Sequence, residues 1–213
     1  MKYKHVIWLV AAIVAGCATD NGGSAGNTSG GSTTVSCSPG NCAGCCTGNL
    51  CVGGTSSLAC GSGGGTCGYC SSPNICLSGG YCGIDPESVW LVQPSQGTIA
   101  STNNGASWDS LDGSPPDVIV TTTCPPSSNP STKKSSQAES YTPAWNDGGC
   151  TSKAKDLLAE PFLFRLDDND PVGADSITEN LSVQLGAADF ASGHVSLGAS
   201  GGMQGITFDL TKM

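Results

Sequence analysis

Phe162-Leu163-Phe164-Arg165-Leu166-Asp167-Asp168-Asn169-Asp170-Pro171-Val172-Gly173-Ala174-Asp175 is the stretch on which the reading of this chain turns. Its first half places apolar residues at every second position, which predicts a strand with one buried face. Its second half concentrates carboxylates immediately afterwards. Outward from it lie shorter apolar runs: Val89-Trp90-Leu91-Val92, Val118-Ile119-Val120, Leu181-Ser182-Val183-Gln184-Leu185, His194-Val195-Ser196-Leu197 and Ile206-Thr207-Phe208-Asp209-Leu210. Most are separated by Gly, Pro, Asn or Asp. The fold class predicted is mostly β, an antiparallel β-sandwich over 85–213. One short helix is expected, over Ser152 to Ala159.

Two acidic loops fall between such strands. One runs from Trp108 to Asp117 as Trp-Asp-Ser-Leu-Asp-Gly-Ser-Pro-Pro-Asp, ahead of Val118, and the other spans Asp167 to Asp175. Clustered carboxylates repel one another, so the arrangement favours a cation that relieves them. Calcium, a hard ion that takes six to eight oxygens at roughly 2.3 to 2.6 Å, is the natural candidate.

Pro116-Asp117-Val118-Ile119-Val120, then Thr142-Pro143-Ala144-Trp145-Asn146, then Phe164 to Asp170 followed by Asp175-Ser176-Ile177, stand in an order and spacing that resembles a C2 domain, the calcium- and phospholipid-binding β-sandwich. The resemblance covers roughly residues 86 to 212. It implies a calcium site at one tip of the sandwich, built from Asp109 or Asp112 together with Asp117 in the first loop and from Asp168, Asp170 and Asp175 in the other. Asp167 is expected to be an exposed charge rather than a ligand. The chain departs from the family pattern where Asp-Pro-Tyr-Val is Asp117-Val118-Ile119-Val120 and where Ile-Gly is Ile177-Thr178. The resemblance also implies a phospholipid or protein ligand at the acidic loops. Pro171-Val172-Gly173 supplies little of the apolar or basic character that membrane contact needs. Lys133 and Lys134 read as a solvated loop.

The rest of the chain sets the context. Its 213 residues carry 8 Lys plus Arg against 17 Asp plus Glu, a formal net charge of -9. Such a balance provides no basic surface for a phosphate backbone, so nucleic acid is not an expected partner. Met1 to Lys4 holds two lysines, Val6 to Ala15 is an apolar run, and Val14-Ala15-Gly16-Cys17 follows. This is a signal peptide over 1–16, and its ending resembles the lipobox of bacterial lipoproteins. Cys17 is then the lipidated N-terminus, and the protein is expected in the bacterial cell envelope, lipid-anchored, with the outer membrane favoured. Residues 17–36 form the lipidated end and a Gly/Ser-rich flexible linker.

Of the 13 cysteines, ten lie between Cys37 and Cys82, a span with no Asp, Glu, Lys or Arg. Residues 37–84 are accordingly a disulfide-rich module. Cys46 to Gly54 and Cys70 to Gly80 share the order Cys, turn, Asn, aliphatic, Cys, aliphatic, glycines, which suggests a repeated cystine-bonded loop. Cys42-x-x-Cys45 and Cys67-x-x-Cys70 have a spacing that structural zinc accepts, although an exported chain favours cystines. Cys124 and Cys150 suit a disulfide closing the long loop between them, and cross-module pairing is the alternative.

Catalysis finds little support. His194 is the one histidine beyond the leader, it sits on an expected strand, and no Gly-x-Ser-x-Gly element occurs. Asp168 and Asp170 suit a cation better than an acid/base pair flanking a sugar. The sequence therefore points to a non-enzymatic envelope lipoprotein whose C2-like domain binds calcium and, through it, a membrane or protein ligand. The alternative is a structural or adhesion protein whose sandwich binds no metal.

Overall fold

The structure is a computed structural model of the chain, and it describes residues 36–109, 113–170 and 173–213. The signal peptide, Cys17 and most of the linker lie outside the described residues.

From Cys37 to Cys82 the backbone forms short strands only: β1 (Cys45–Thr47), β2 (Leu50–Val52), β3 (Thr55–Ser56), β4 (Ala59–Cys60), β5 (Gly65–Thr66), β6 (Asn74–Cys76) and β7 (Cys82–Ile84). Segments this short bury too little surface to hold a fold, and sulfur takes over that role. Five cystines tie the module: Cys37–Cys46, Cys42–Cys51, Cys45–Cys67, Cys60–Cys76 and Cys70–Cys82. All ten of its cysteines are oxidised, which removes them as zinc ligands. The suggested repeat is not structural. Cys51 pairs back to Cys42 within its own hairpin region, whereas Cys76 pairs to Cys60 and its strand β6 pairs with β7 beyond it.

The remaining strands make the sandwich: β8 (Val89–Ile99), β9 (Asp117–Cys124), β10 (Ser131–Lys134), β11 (Ala138–Glu139), β12 (Cys150–Lys153), β13 (Phe162–Asp170), β14 (Gly173–Ser176), β15 (Leu181–Val183), β16 (His194–Leu197) and β17 (Met203–Lys212). One sheet has the order β12-β8-β17-β16. The other has β9 and β13 at its centre, with β10 and β11 on the free side of β9 and β14 and β15 on the free side of β13. All pairings in both sheets are antiparallel. Lys133 and Lys134 therefore belong to an edge strand rather than to a loop; lysines on an edge discourage pairing with another chain.

The period-two pattern becomes burial. Val118, Val120, Thr122 and Cys124 on β9 and Phe162, Phe164 and Leu166 on β13 face Trp90, Val92, Ile206, Phe208 and Leu210 across the interface. Phe208 stands edge-on to both Phe162 and Phe164, with ring centroids 5.1 and 5.0 Å apart. Pro94 interrupts central strand β8 without breaking it, because the β17 register shifts there and Ser95 is the extra residue of a bulge. Beyond the bulge, residues 141–145 take over from β12 as the neighbour of β8, through Gly97 N–H to Pro143 O and Ile99 N–H to Tyr141 O, each 2.8 Å.

Two short helices close the interface. Helix α1 (Ala154–Ala159) follows β12 directly, so the expected helix begins later than Ser152, which belongs to the strand. Helix α2 (Ala187–Ser192) was not apparent in the sequence; it inserts Phe190 edge-on against Trp90, 4.8 Å between centroids. Cys124 of one sheet is bonded to Cys150 of the other, and both are fully buried. The cross-module alternative is thereby replaced by a staple between the two layers. Ile84, the last residue of β7, is buried in the same core, which fixes the cysteine module to the sandwich.

Candidate metal centre

Three turns meet at the end of the sandwich where β8 finishes. Ala100 N–H donates to Gly202 O, Gly202 N–H donates to Ile177 O, and the indole N–H of Trp108 donates to Ala100 O, at 2.8, 2.8 and 2.7 Å. Trp108 is buried over Gly202, where an added Cβ would stand 2.7 Å from the ring. This packing sets the position of the next residue, Asp109, whose Oδ2 accepts a 2.7 Å hydrogen bond from the Ser114 hydroxyl.

Asp117 opens β9, while Asp168 and Asp170 lie near the end of β13 and share one face of it. The register sets Asp168 opposite Val118 on one side and opposite Asp175 of β14 on the other. The expected second acidic loop is mostly strand: β13 continues to Asp170, and Gly173 starts β14, so the carboxylates are carried by a hairpin. Asp167 is also corrected. It is buried, at 8% exposure, and its Oδ2 takes hydrogen bonds from Arg165 Nε at 3.0 Å and Nη2 at 2.9 Å. A charge paired in this way is neutralised by the protein itself and is not a candidate ligand.

Asp168 is in the opposite situation. It has no solvent exposure. Its Oδ1 accepts a 2.6 Å hydrogen bond from the backbone N–H of Asp117, and its Oδ2 is buried with no partner. Oδ1 of Asp170 is likewise buried and unpartnered. Burial pushes the Asp168 carboxyl up to about 6; the Asp117 amide opposes this, and the charges of Asp170, Asp109 and Asp117 add to it. Asp170 is also raised, first by burial and then by Asp109, which stands within hydrogen-bonding reach. The three ion pairs among the described residues use Glu87 and Asp167, so none of these five aspartates has a cationic partner there.

The structure thus brings Asp109, Asp117, Asp168 and Asp170 to one tip, with Asp175 paired to Asp168 at its exposed side. Asp112 lies outside the described residues. The sequence reading missed the Ser114 hydroxyl and the Trp108 anchor, although both fall inside the first acidic stretch. The donors are hard oxygens, and the orphaned buried oxygens of Asp168 and Asp170 are what a cation would satisfy. No three of the carboxylates are drawn tightly together. Among the described residues, the groups of three donors within 4.8 Å of one another consist of cystine sulfurs alone. Asp109 and Asp170 already approach within hydrogen-bonding reach, and a bound ion would need a third carboxylate to close in by side-chain rotation. Beside the acidic residues, a cavity of about 470 Å³ is lined by Thr102, Asn103, Asn104, Trp108, Thr178 and Glu179 among others. His194 lies elsewhere, exposed on β16.

No protein-family model matches the sequence, and no curated protein is similar to it. Among solved structures the chain is similar to a C2 domain, at 14% identity and a TM-score of 0.38 over 58% of this chain and 98% of the other. It is also similar to a C2 domain of a plant extended synaptotagmin 1, at 11% identity and a TM-score of 0.40 over 61% of this chain and 98% of the other. The β-sandwich itself rests on the two sheets described above.

Proposed function

We propose that this protein is a non-catalytic, lipid-anchored component of the bacterial cell envelope whose sandwich binds calcium at the tip formed by Asp109, Asp117, Asp168 and Asp170, with Asp175 at its rim. The observation that carries the reading is the buried, unpartnered Oδ2 of Asp168 beside the buried, unpartnered Oδ1 of Asp170. An anionic oxygen out of water and without a donor costs several times what a hydrogen-bonded one does. A divalent cation relieves both at once. The ion would in turn present an electropositive tip to a phospholipid headgroup or an acidic protein segment, in a region otherwise negative. The lipobox-like ending at Cys17 supports the envelope location, and the six described cystines fit an oxidising compartment.

The test is the thermal unfolding midpoint of the oxidised protein in chelator, in millimolar calcium and in millimolar magnesium. Binding to the native state alone raises the midpoint by mass action. A rise of several degrees specific to calcium, absent in Asp168→Asn, supports the reading; an unchanged midpoint in calcium overturns it.

A further inference from the structure

The cavity beside the acidic tip has a frame and a lining of its own. It measures about 470 Å³, and among the described residues its walls come from the segments 100–108, 176–179 and 201–202, with none of the tip aspartates. The hydrogen bonds from Ala100 to Gly202, from Gly202 to Ile177 and from Trp108 to Ala100 hold those three segments to one another. Asn103 and Ala106 exchange backbone hydrogen bonds of 2.9 and 3.0 Å, and Asn104 and Gly105 between them have φ of 52° and 91°. This is the tight hairpin turn that Asn-Gly favours. Within it Asn104 Nδ2 donates to Asn103 Oδ1 at 3.2 Å. Thr178, on the opposite segment, is buried at 2% exposure, and its hydroxyl oxygen accepts from Leu166 N–H at 3.0 Å. The volume falls in the range of roughly 300–1,000 Å³ usual for small-molecule sites, and a wall braced in this way is ordered before a ligand arrives.

The lining selects among ligands. Thr102, Thr178, Asn103 and Asn104 contribute hydroxyls and amides, groups that both donate and accept. Glu179 is the one charged residue of the described lining, it is exposed, and none of the ion pairs among the described residues engages it. Its carboxylate can accept two O–H donors side by side. An anionic ligand would meet Glu179 with no Lys, Arg or His in the described lining to offset the repulsion. An ammonium group only donates, and would leave the amide N–H groups of the two asparagines without an acceptor. A protein partner is disfavoured on separate grounds. None of the exposed large hydrophobic residues of the described chain falls in 100–108, 176–179 or 201–202, so an interface here would have no apolar or aromatic anchor at its centre. Hydroxyl groups, which donate to the carboxylate and accept from the amides, match the whole set.

We infer that this cavity binds an uncharged hexose unit through Asn103, Asn104, Thr178 and Glu179. Neighbouring hydroxyls of the sugar donate to the Glu179 carboxylate, and the asparagine amides and the Thr178 hydroxyl serve the remaining ones. The cavity shares its frame with the acidic tip, since Trp108 precedes Asp109 and Ser176 follows Asp175, but it uses no residue of the metal centre. Sugar binding therefore requires no calcium, and it stands or falls apart from the calcium reading.

The test titrates the oxidised full chain, in chelator, with glucose, galactose and mannose and with the uronate of each, read by saturation-transfer NMR. Binding of at least one neutral hexose is expected with a dissociation constant of about millimolar order, as suits so small a ligand. Its uronate, the same ring with a carboxylate, is expected to bind at least about tenfold more weakly because it faces Glu179. Glu179→Gln keeps an acceptor and removes the charge, and it is expected to bring the two affinities to within about threefold of each other. Asn104→Gly suits the same turn and removes the amide, so it is expected to weaken sugar binding about fivefold or more with the unfolding midpoint little changed. Intact mass confirms the cystines in each variant. No binding of any of the three hexoses, a uronate that binds the parent as tightly as its hexose does, or an Asn104→Gly variant that binds as the parent does would each overturn the inference.

Discussion

The backbone N–H of Asp117 donates to Oδ1 of Asp168 across 2.6 Å, which joins the first residue of β9 to the end of β13 and leaves the other Asp168 oxygen buried and alone. That one hydrogen bond fixes the carboxylate without satisfying it. Asp168→Asn keeps an acceptor for the Asp117 amide and replaces the orphaned anionic oxygen with a neutral group. In chelator the variant is expected to unfold about 2–4 °C higher than the parent, the shift that roughly 1 kcal/mol produces in a chain of this size. In calcium it is expected to gain nothing further. Scanning calorimetry of both proteins under both conditions checks this.

Acidification provides an independent reading of the same group. The folded carboxyl is raised to about 6 from an ordinary value of 3.8, so the native state binds the proton more tightly than the unfolded chain does. Its stabilising contribution is full below the ordinary value and is lost as the pH rises through about 6. In chelator the midpoint is therefore expected to climb between pH 7 and pH 5. Calcium competes for the same oxygens, and in millimolar calcium the climb should shrink or reverse. A series of melts at fixed ionic strength tests the sign, with a smaller climb expected in Asp168→Asn, where the raised Asp170 carboxyl remains.

Gly202 is where the Trp108 ring packs directly on the backbone of the tip. Gly202→Ala would place a methyl group 2.7 Å from the Trp108 ring and 3.3 Å from Ile177 Cγ2, forcing the indole outward and with it the residue that follows, Asp109. A cost of about 1–3 kcal/mol is expected from the overpacking, together with weaker calcium binding than the stability loss alone predicts. Denaturant titration paired with calorimetric calcium titration separates the two effects.

The Cys124–Cys150 bond closes a segment with a sequence separation of 26 and crosses from one sheet to the other. Replacing both cysteines by alanine is expected to cost about 2–5 kcal/mol. Equilibrium unfolding in urea measures the loss, and calcium should recover part of it by mass action.

Much of this was legible in the chain because burial along β9 and β13 follows the apolar alternation residue by residue. The aspartates of the tip were legible for a related reason: a carboxylate is conspicuous in a sequence with so few charges. The signal failed where two chemistries use the same letters. Asp167 and Asp168 are adjacent and identical, yet one faces Arg165 and the other faces the interior. Alternation alone assigns them to opposite faces without saying which face holds a cation. The Ala187–Ser192 helix was hidden because a six-residue segment with one aromatic, Phe190, leaves no period to detect. The cystine partners in the module were beyond reach for a combinatorial reason, since cysteines spaced this closely permit many pairings.

Strand β8 leaves the cysteine module near Val89 and ends at Ile99 beside the acidic tip. Its 11 residues set about 30 Å between those two ends, and β17 returns alongside to bring Met213 N–H back to Val89 O. The point where the cysteine module joins the sandwich and the acidic tip therefore lie at opposite ends of the paired strands β8 and β17. A ligand held at the tip would sit about 30 Å from the module and would not compete with it for space.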